Sequence, residues 1–75
     1  MRNLMSEVNI YILIGRKIKN IKESKGLTQQ EISDKSNFVK STVSRIESGR
    51  TNLTLKNLFK LSEALGVKIR DLVDV

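Results

Sequence analysis

The stretch Thr28-Gln29-Gln30-Glu31-Ile32-Ser33-Asp34-Lys35-Ser36-Asn37-Phe38-Val39-Lys40-Ser41-Thr42-Val43-Ser44-Arg45-Ile46-Glu47-Ser48-Gly49 decides how this 75-residue chain folds. Thr28 to Glu31 has the spacing of a capping box, in which the Thr hydroxyl accepts an orphan amide and the Glu reaches back. A short helix opens there and runs to about Ser36, with Ile32 turned inward and Ser33 small enough for a neighbour to cross closely. Asn37 stands where the chain must turn, and Asn tolerates a positive φ better than most residues with a Cβ. A second short helix runs from about Lys40 to Ser48 and stops at Gly49. Val43 and Ile46, three apart, face inward, while Lys40, Ser41, Thr42, Ser44 and Arg45 stay outside. Ser, Thr and Val are mediocre helix formers. The outer face is therefore chosen for something other than helix stability.

The flanks also read as helices. At 100° per residue, Ile10, Ile14, Ile18 and Ile21 form one stripe of a helix from about Ser6 to Lys25. Gly26 stops it, and Lys22 and Lys25 suit its carboxyl end. Gly15 lies inside this helix and costs it about 1 kcal/mol relative to Ala; close approach of another backbone is one reason to keep it. Ile12 points off the stripe, as a partner contact, or residues 1–9 form an arm that delays the helix. Thr54 caps a further helix to about Leu65, ended by Gly66. Leu55, Leu58, Phe59, Ser62 and Leu65, widened by Leu61, give it an apolar arc of about 160°, broader than the ~100° one core requires. A second subunit is one use for the excess. Ile69 to Val73 is a short final helix. There is no strand pattern, repeat or low-complexity segment, so the expected class is all-α with five helices in one domain spanning residues 1–75.

Composition removes whole classes of chemistry. The chain has no Cys and no His, which excludes disulfides, thiolate zinc sites and Cys nucleophiles and leaves out the commonest general base. No paired acids or Gly-rich phosphate loop appear, so no enzyme, metal or cofactor is expected. The longest apolar run, Ile10 to Ile14, is too short for a membrane span or a secretory segment, and the expected location is cytoplasmic. Hydrophobic residues make up 39%, near the lower limit for a lone small core, so self-association would help.

The net charge of +6 is unevenly placed, with +4 in residues 16–25 and +4 in residues 40–60, while the intervening and terminal blocks are near neutral. If folding brings the two blocks to one side, they make a face for a polyanion, nucleic acid first and membrane surface second. The alternative is that the lysines only keep a small protein soluble.

Two short helices joined by a tight turn, inside a basic all-α domain, make a helix-turn-helix. Thr28–Ser33, Asn37-Phe38 and Ser41–Gly49, followed by Asn52-Leu53-Thr54-Leu55, Leu58, Leu61-Ser62 and Ala64-Leu65-Gly66-Val67, resemble the helix-turn-helix family of phage repressors and Cro proteins, the XRE family. The likeness covers roughly residues 13–73 and implies a lambda-repressor-like fold. Lys35–Phe38 and Arg50–Thr54 further resemble the controller proteins of restriction–modification systems. Three positions depart from the family pattern: Asn37 replaces the usual turn Gly, Ser33 a usual Ala, and Val39 a capping Ser or Asp.

A recognition helix sets donors against base edges in the major groove. Lys40 and Arg45 suit guanine O6 and N7; Ser41, Thr42 and Ser44 can donate or accept, and the Thr42 methyl suits thymine. The resemblance puts Lys40, Ser41, Ser44 and Arg45 at base-reading or adjacent phosphate positions; a merely solvated polar face is the alternative. Gln29 begins a helix whose free amides favour phosphate, and the resemblance adds a bracing role towards the recognition helix. Ser48, Arg50, Thr51 and Asn52 would clamp the DNA backbone without reading sequence, with Lys56 adding charge. Glu47 would repel DNA if it faced it, so a structural role is expected. The resemblance supplies its partner, Lys22, in place of the commoner Arg, at the loss of bidentate geometry.

The expected function is sequence-specific binding of double-stranded DNA by a homodimer reading a pseudo-palindromic operator, with half-sites about 34 Å apart. Leu61, Leu65, Val67, Ile69 and Val73 are the expected dimer interface, and RNA polymerase is a further candidate partner. No small-molecule ligand is expected, so control would come through concentration, dimerisation and operator occupancy. The rival is an antitoxin-like interaction module whose helix-turn-helix regulates its own gene.

Overall fold

The computed structural model describes residues 7–75 and the side chains of residues 10–75. It shows five helices among them: α1 (Glu7–Ser24), α2 (Gln29–Ser36), α3 (Lys40–Glu47), α4 (Leu55–Leu65) and α5 (Ile69–Val73). The expected boundaries hold to within a residue or two. Glu7 already belongs to α1, so residues 7–9 are helix and not arm; the remainder of the expected arm lies outside the described residues.

The helices stop where the sequence predicts. Thr28 accepts from the Glu31 amide at 3.1 Å while the Glu31 carboxylate accepts from the Thr28 amide at 2.8 Å, completing the capping box. Thr54 accepts from the Asn57 amide at 3.0 Å. Asn37 adopts φ 64°, ψ 16° and ends α2. Val39 begins α3 without a side-chain cap, yet α3 still starts at Lys40.

Ile14, Ile18, Ile32, Val43, Ile46, Leu58, Leu61, Leu65 and Leu72 form the buried core. The α1 stripe supplies only part of it. Ile14 and Ile18 are buried, Ile21 is half-buried, but Ile10 is 49% exposed. The reason lies in where α3 ends. Ile12 is half-buried and lies over Gly49, where a Cβ would come within 2.6 Å of the Ile12 side chain. Ile10 precedes that point and lies beyond the core. Gly15 is explained by close approach: a Cβ there would strike the Ile46 carbonyl oxygen and stand 2.8 Å from that of Glu47. The α1–α3 crossing is backbone against backbone.

Part of the broad apolar arc of α4 is covered within the chain itself. Both α2 and α5 pack on α4 within the chain, so two neighbours share the arc. Leu61 (0% exposed) and Leu65 (2%) lie in the core, which corrects their expected place in a dimer interface. Val67 and Ile69 also pack, half-buried, against the core. Of the expected interface only Val73 is exposed, at 43%. The apolar side chains that α4 leaves in solvent are Leu55 and Phe59, at 72% and 50%. Among the described residues no helix is long and apolar enough to cross a membrane.

Candidate nucleic-acid interface

The turn between α2 and α3 is held by two serines. The Ser33 hydroxyl donates to the Phe38 carbonyl. The Ser36 hydroxyl donates to the Ile32 carbonyl at 2.6 Å and accepts from the Phe38 amide at 3.3 Å. Both serines are buried, so the backbone of Phe38 is fixed on each side. The Lys60 ammonium sits 5.3 Å from the centre of the Phe38 ring, a cation–π contact that ties α4 to the same turn. Sequence reading valued Ser33 for its size alone and overlooked Ser36 and Lys60. Its available signal was a pair of hydroxyls three apart, immediately before a residue suited to the left-handed region.

α3 is divided cleanly. Val43, Ile46 and Glu47 are buried. Lys40, Ser41 and Arg45 are exposed, and Thr42 and Ser44 are half-buried. These two reach solvent less fully than their spacing suggested, because they flank the inward residues Val43 and Ile46. None of the five polar side chains makes a hydrogen bond with the described residues.

Glu47 closes the inner side. The Lys22 ammonium lies 3.2 Å from one carboxylate oxygen and 3.1 Å from the other. Gln29 donates its side-chain amide to Oε1 at 3.0 Å. A single ammonium cannot offer the two parallel donors of a guanidinium; the Gln29 amide adds a donor, but to the same Oε1 that Lys22 bonds, and Oε2 has the ion pair without a hydrogen bond among the described residues. Gln29 thereby joins the first turn of α2 to the last turn of α3, the bracing role expected of it. With Lys22 and Glu47 both buried, one acidic group fixes α3 against α1 and α2 together.

Beyond α3, Ser48, Arg50 and Asn52 are exposed and Thr51 is half-buried. Ser48 donates to the Arg45 carbonyl at 3.1 Å and accepts from Arg50 Nε at 2.9 Å. The guanidinium is held at the end of α3 by its inner nitrogen, which leaves its terminal nitrogens for an anion. Lys56, in the first turn of α4, is also exposed. Among the described residues no group of His, Cys, Asp or Glu could hold a metal ion.

Comparison with known proteins agrees with this geometry. A helix-turn-helix family model, HTH_3, matches residues 18–72. The chain is 37% identical over 67 residues to control protein C.BamHI of Bacillus amyloliquefaciens, covering 88% of this chain and 83% of that protein. It is 34% identical over 65 residues to control protein C.MunI of a Mycoplasma species, covering 85% and 88%. The crystal structure of the restriction-modification controller protein C.AhdI from Aeromonas hydrophila superposes with a TM-score of 0.80 at 31% identity, covering 83% of this chain and 94% of that one. With the family model matching residues 18–72 and relatives of this identity and coverage, the chain belongs to the XRE-type helix-turn-helix family of DNA-binding transcriptional regulators.

Proposed function

We propose that this chain is the controller of a restriction–modification system and binds a pseudo-palindromic operator as a homodimer. The observation that carries this reading is the state of α3: Lys40, Ser41 and Arg45 are exposed and make no hydrogen bond with the described residues, while Glu47 fixes the helix from behind. The names of the related control proteins support the biological role.

In this reading Lys40, Ser41, Thr42, Ser44 and Arg45 contact base edges, and Gln29, Ser48, Arg50, Thr51 and Asn52 contact phosphates. Gln29 keeps its carbonyl oxygen and one amide hydrogen beyond its bond to Glu47, so bracing and phosphate contact are compatible. Leu55 and Phe59, one turn apart and exposed, take the place of Leu61 and Leu65 in the dimer contact. Two-fold symmetry would make that patch meet itself. The protein works in the cytoplasm without catalysis, cofactor or small-molecule ligand, with operator DNA and a second copy as partners and RNA polymerase at regulated promoters.

Footprinting on the DNA upstream of the protein's own gene tests this. A protected site with two-fold symmetry is the expected result. No protection at any concentration, together with a co-purifying protein, would overturn it in favour of an interaction module.

A further inference from the structure

Val39 breaks two local rules at once. Thr28 and Thr54 cap α2 and α4 with their hydroxyls, but the residue in the corresponding place before α3 is a valine that caps nothing. It is also 64% exposed, the only large hydrophobic residue exposed between Thr28 and Gly49. A branched apolar side chain in water, at a position where Ser, Thr, Asp or Asn would stabilise the helix, helps neither the helix nor the core. Where a sequence departs from local preference with no gain in folding, function is the first place to look.

Its position indicates what it could touch. Val39 directly precedes Lys40 and Ser41, both exposed, at the end of α3 that enters a groove if α3 reads DNA. Base edges in the major groove are otherwise donors and acceptors; the one apolar group there is the C5-methyl of thymine. The backbone at Val39 is extended (φ −75°, ψ 155°), so its side chain belongs to the turn and not to the helix surface.

We infer that Val39 is a specificity-determining residue that reads thymine, packing its isopropyl group against the C5-methyl of one base in each half-site. The inference rests on the assignment of α3 as the DNA-reading helix. It adds an apolar contact to the polar ones of Lys40 and Arg45, and it explains why a capping residue is absent.

Deoxyuridine keeps every hydrogen-bonding group of thymine and lacks only the methyl. The test begins with an operator selected by the native protein from random duplexes. Each thymine is replaced in turn by deoxyuridine, and affinity is measured at fixed salt for the native protein, Val39→Ala and Val39→Ser. One thymine per half-site should cost the native protein about three- to fivefold in affinity when its methyl is removed. Val39→Ser should bind the thymine and uracil duplexes equally at that position, and Val39→Ala, with a smaller apolar group, should show a reduced difference. Arg45→Ala should retain the difference. Val39→Ser restores a cap, so it should melt no lower than the native protein, which separates lost recognition from lost folding. If the native protein tolerates every uracil, or if the variants keep the penalty, Val39 does not read thymine although α3 still reads DNA. If the native protein selects no sequence, the α3 assignment and this inference fall together.

Discussion

α2 and α3 are each eight residues long and pack against each other, yet they use their polar side chains in opposite ways. In α2 every polar side chain but that of Lys35 is occupied within the chain: Gln29 on Glu47, Gln30 on Asp34 at 3.0 Å, Ser33 and Ser36 on the turn, Glu31 on the cap. In α3 Lys40, Ser41, Thr42, Ser44 and Arg45 make no hydrogen bond with the described residues, and only Glu47 is tied down. One helix of the pair is a bracket and the other is what the bracket holds out. The difference follows from burial of Glu47, because a buried carboxylate needs donors and takes them from α1 and α2. On the opposite side of α3, Lys40, Ser41 and Arg45 are exposed and unbonded to the described residues.

The largest effect should come from removing that anchor. Glu47→Ala leaves the Lys22 ammonium buried without a counter-charge, at a cost of about 3–5 kcal/mol. For a domain of this size that is most of its stability, so urea unfolding should show little folded protein. A variant as stable as the native chain would mean that α3 is not held by Glu47. Gly15→Ala tests the same bracket from the backbone side. A methyl group forced against the Ile46 and Glu47 carbonyls should lower stability by about 1–3 kcal/mol, and a neutral result would mean that α1 and α3 do not cross backbone against backbone.

Two substitutions should separate the helices directly. Arg45→Ala on α3 should change stability by no more than about 0.5 kcal/mol but remove about 1–3 kcal/mol of discrimination between operator and altered sites. Ser36→Ala on α2 should do the reverse, lowering stability by about 1 kcal/mol through the lost turn hydrogen bonds while the ranking of DNA sites is kept. Equal effects of the two on stability would erase the contrast between bracket and held helix. The smallest change is expected from Arg50→Ala. Binding should weaken on all sequences alike, and the dependence of log affinity on log salt should become shallower by about 1. An unchanged slope would remove Arg50 from the phosphate contacts.

Much of this arrangement is legible in the residues. The Thr28 capping box, the Asn37 turn, the Thr54 cap and the Val43/Ile46 spacing each act over a few neighbouring residues, and such signals fix helix ends without help from the rest of the chain. The Lys22–Glu47 pair came from a family resemblance and from the awkwardness of an acid beside DNA. The third member, Gln29, was expected to brace α3, but not through that carboxylate. Leu61 and Leu65 were misassigned because helical periodicity reports which residues are apolar together, not how many neighbours cover them. The stripe of α1 misled in the same way at Ile10.

The amino-acid order alone determined the five helices, the turn between the second and third, and the polar outer face of α3, since each depends on local geometry and on a repeat of about 3.6 residues. Tertiary packing decided the rest. It packed both α2 and α5 on α4 and drew Leu58, Leu61 and Leu65 into the core while leaving Leu55 and Phe59 in solvent. It brought Gly15 against the backbone of α3 and Ile12 over Gly49. It also gathered Lys22, Gln29 and Glu47, which lie up to 25 positions apart. Contacts between distant segments follow from how helices cross, and no local pattern records that angle.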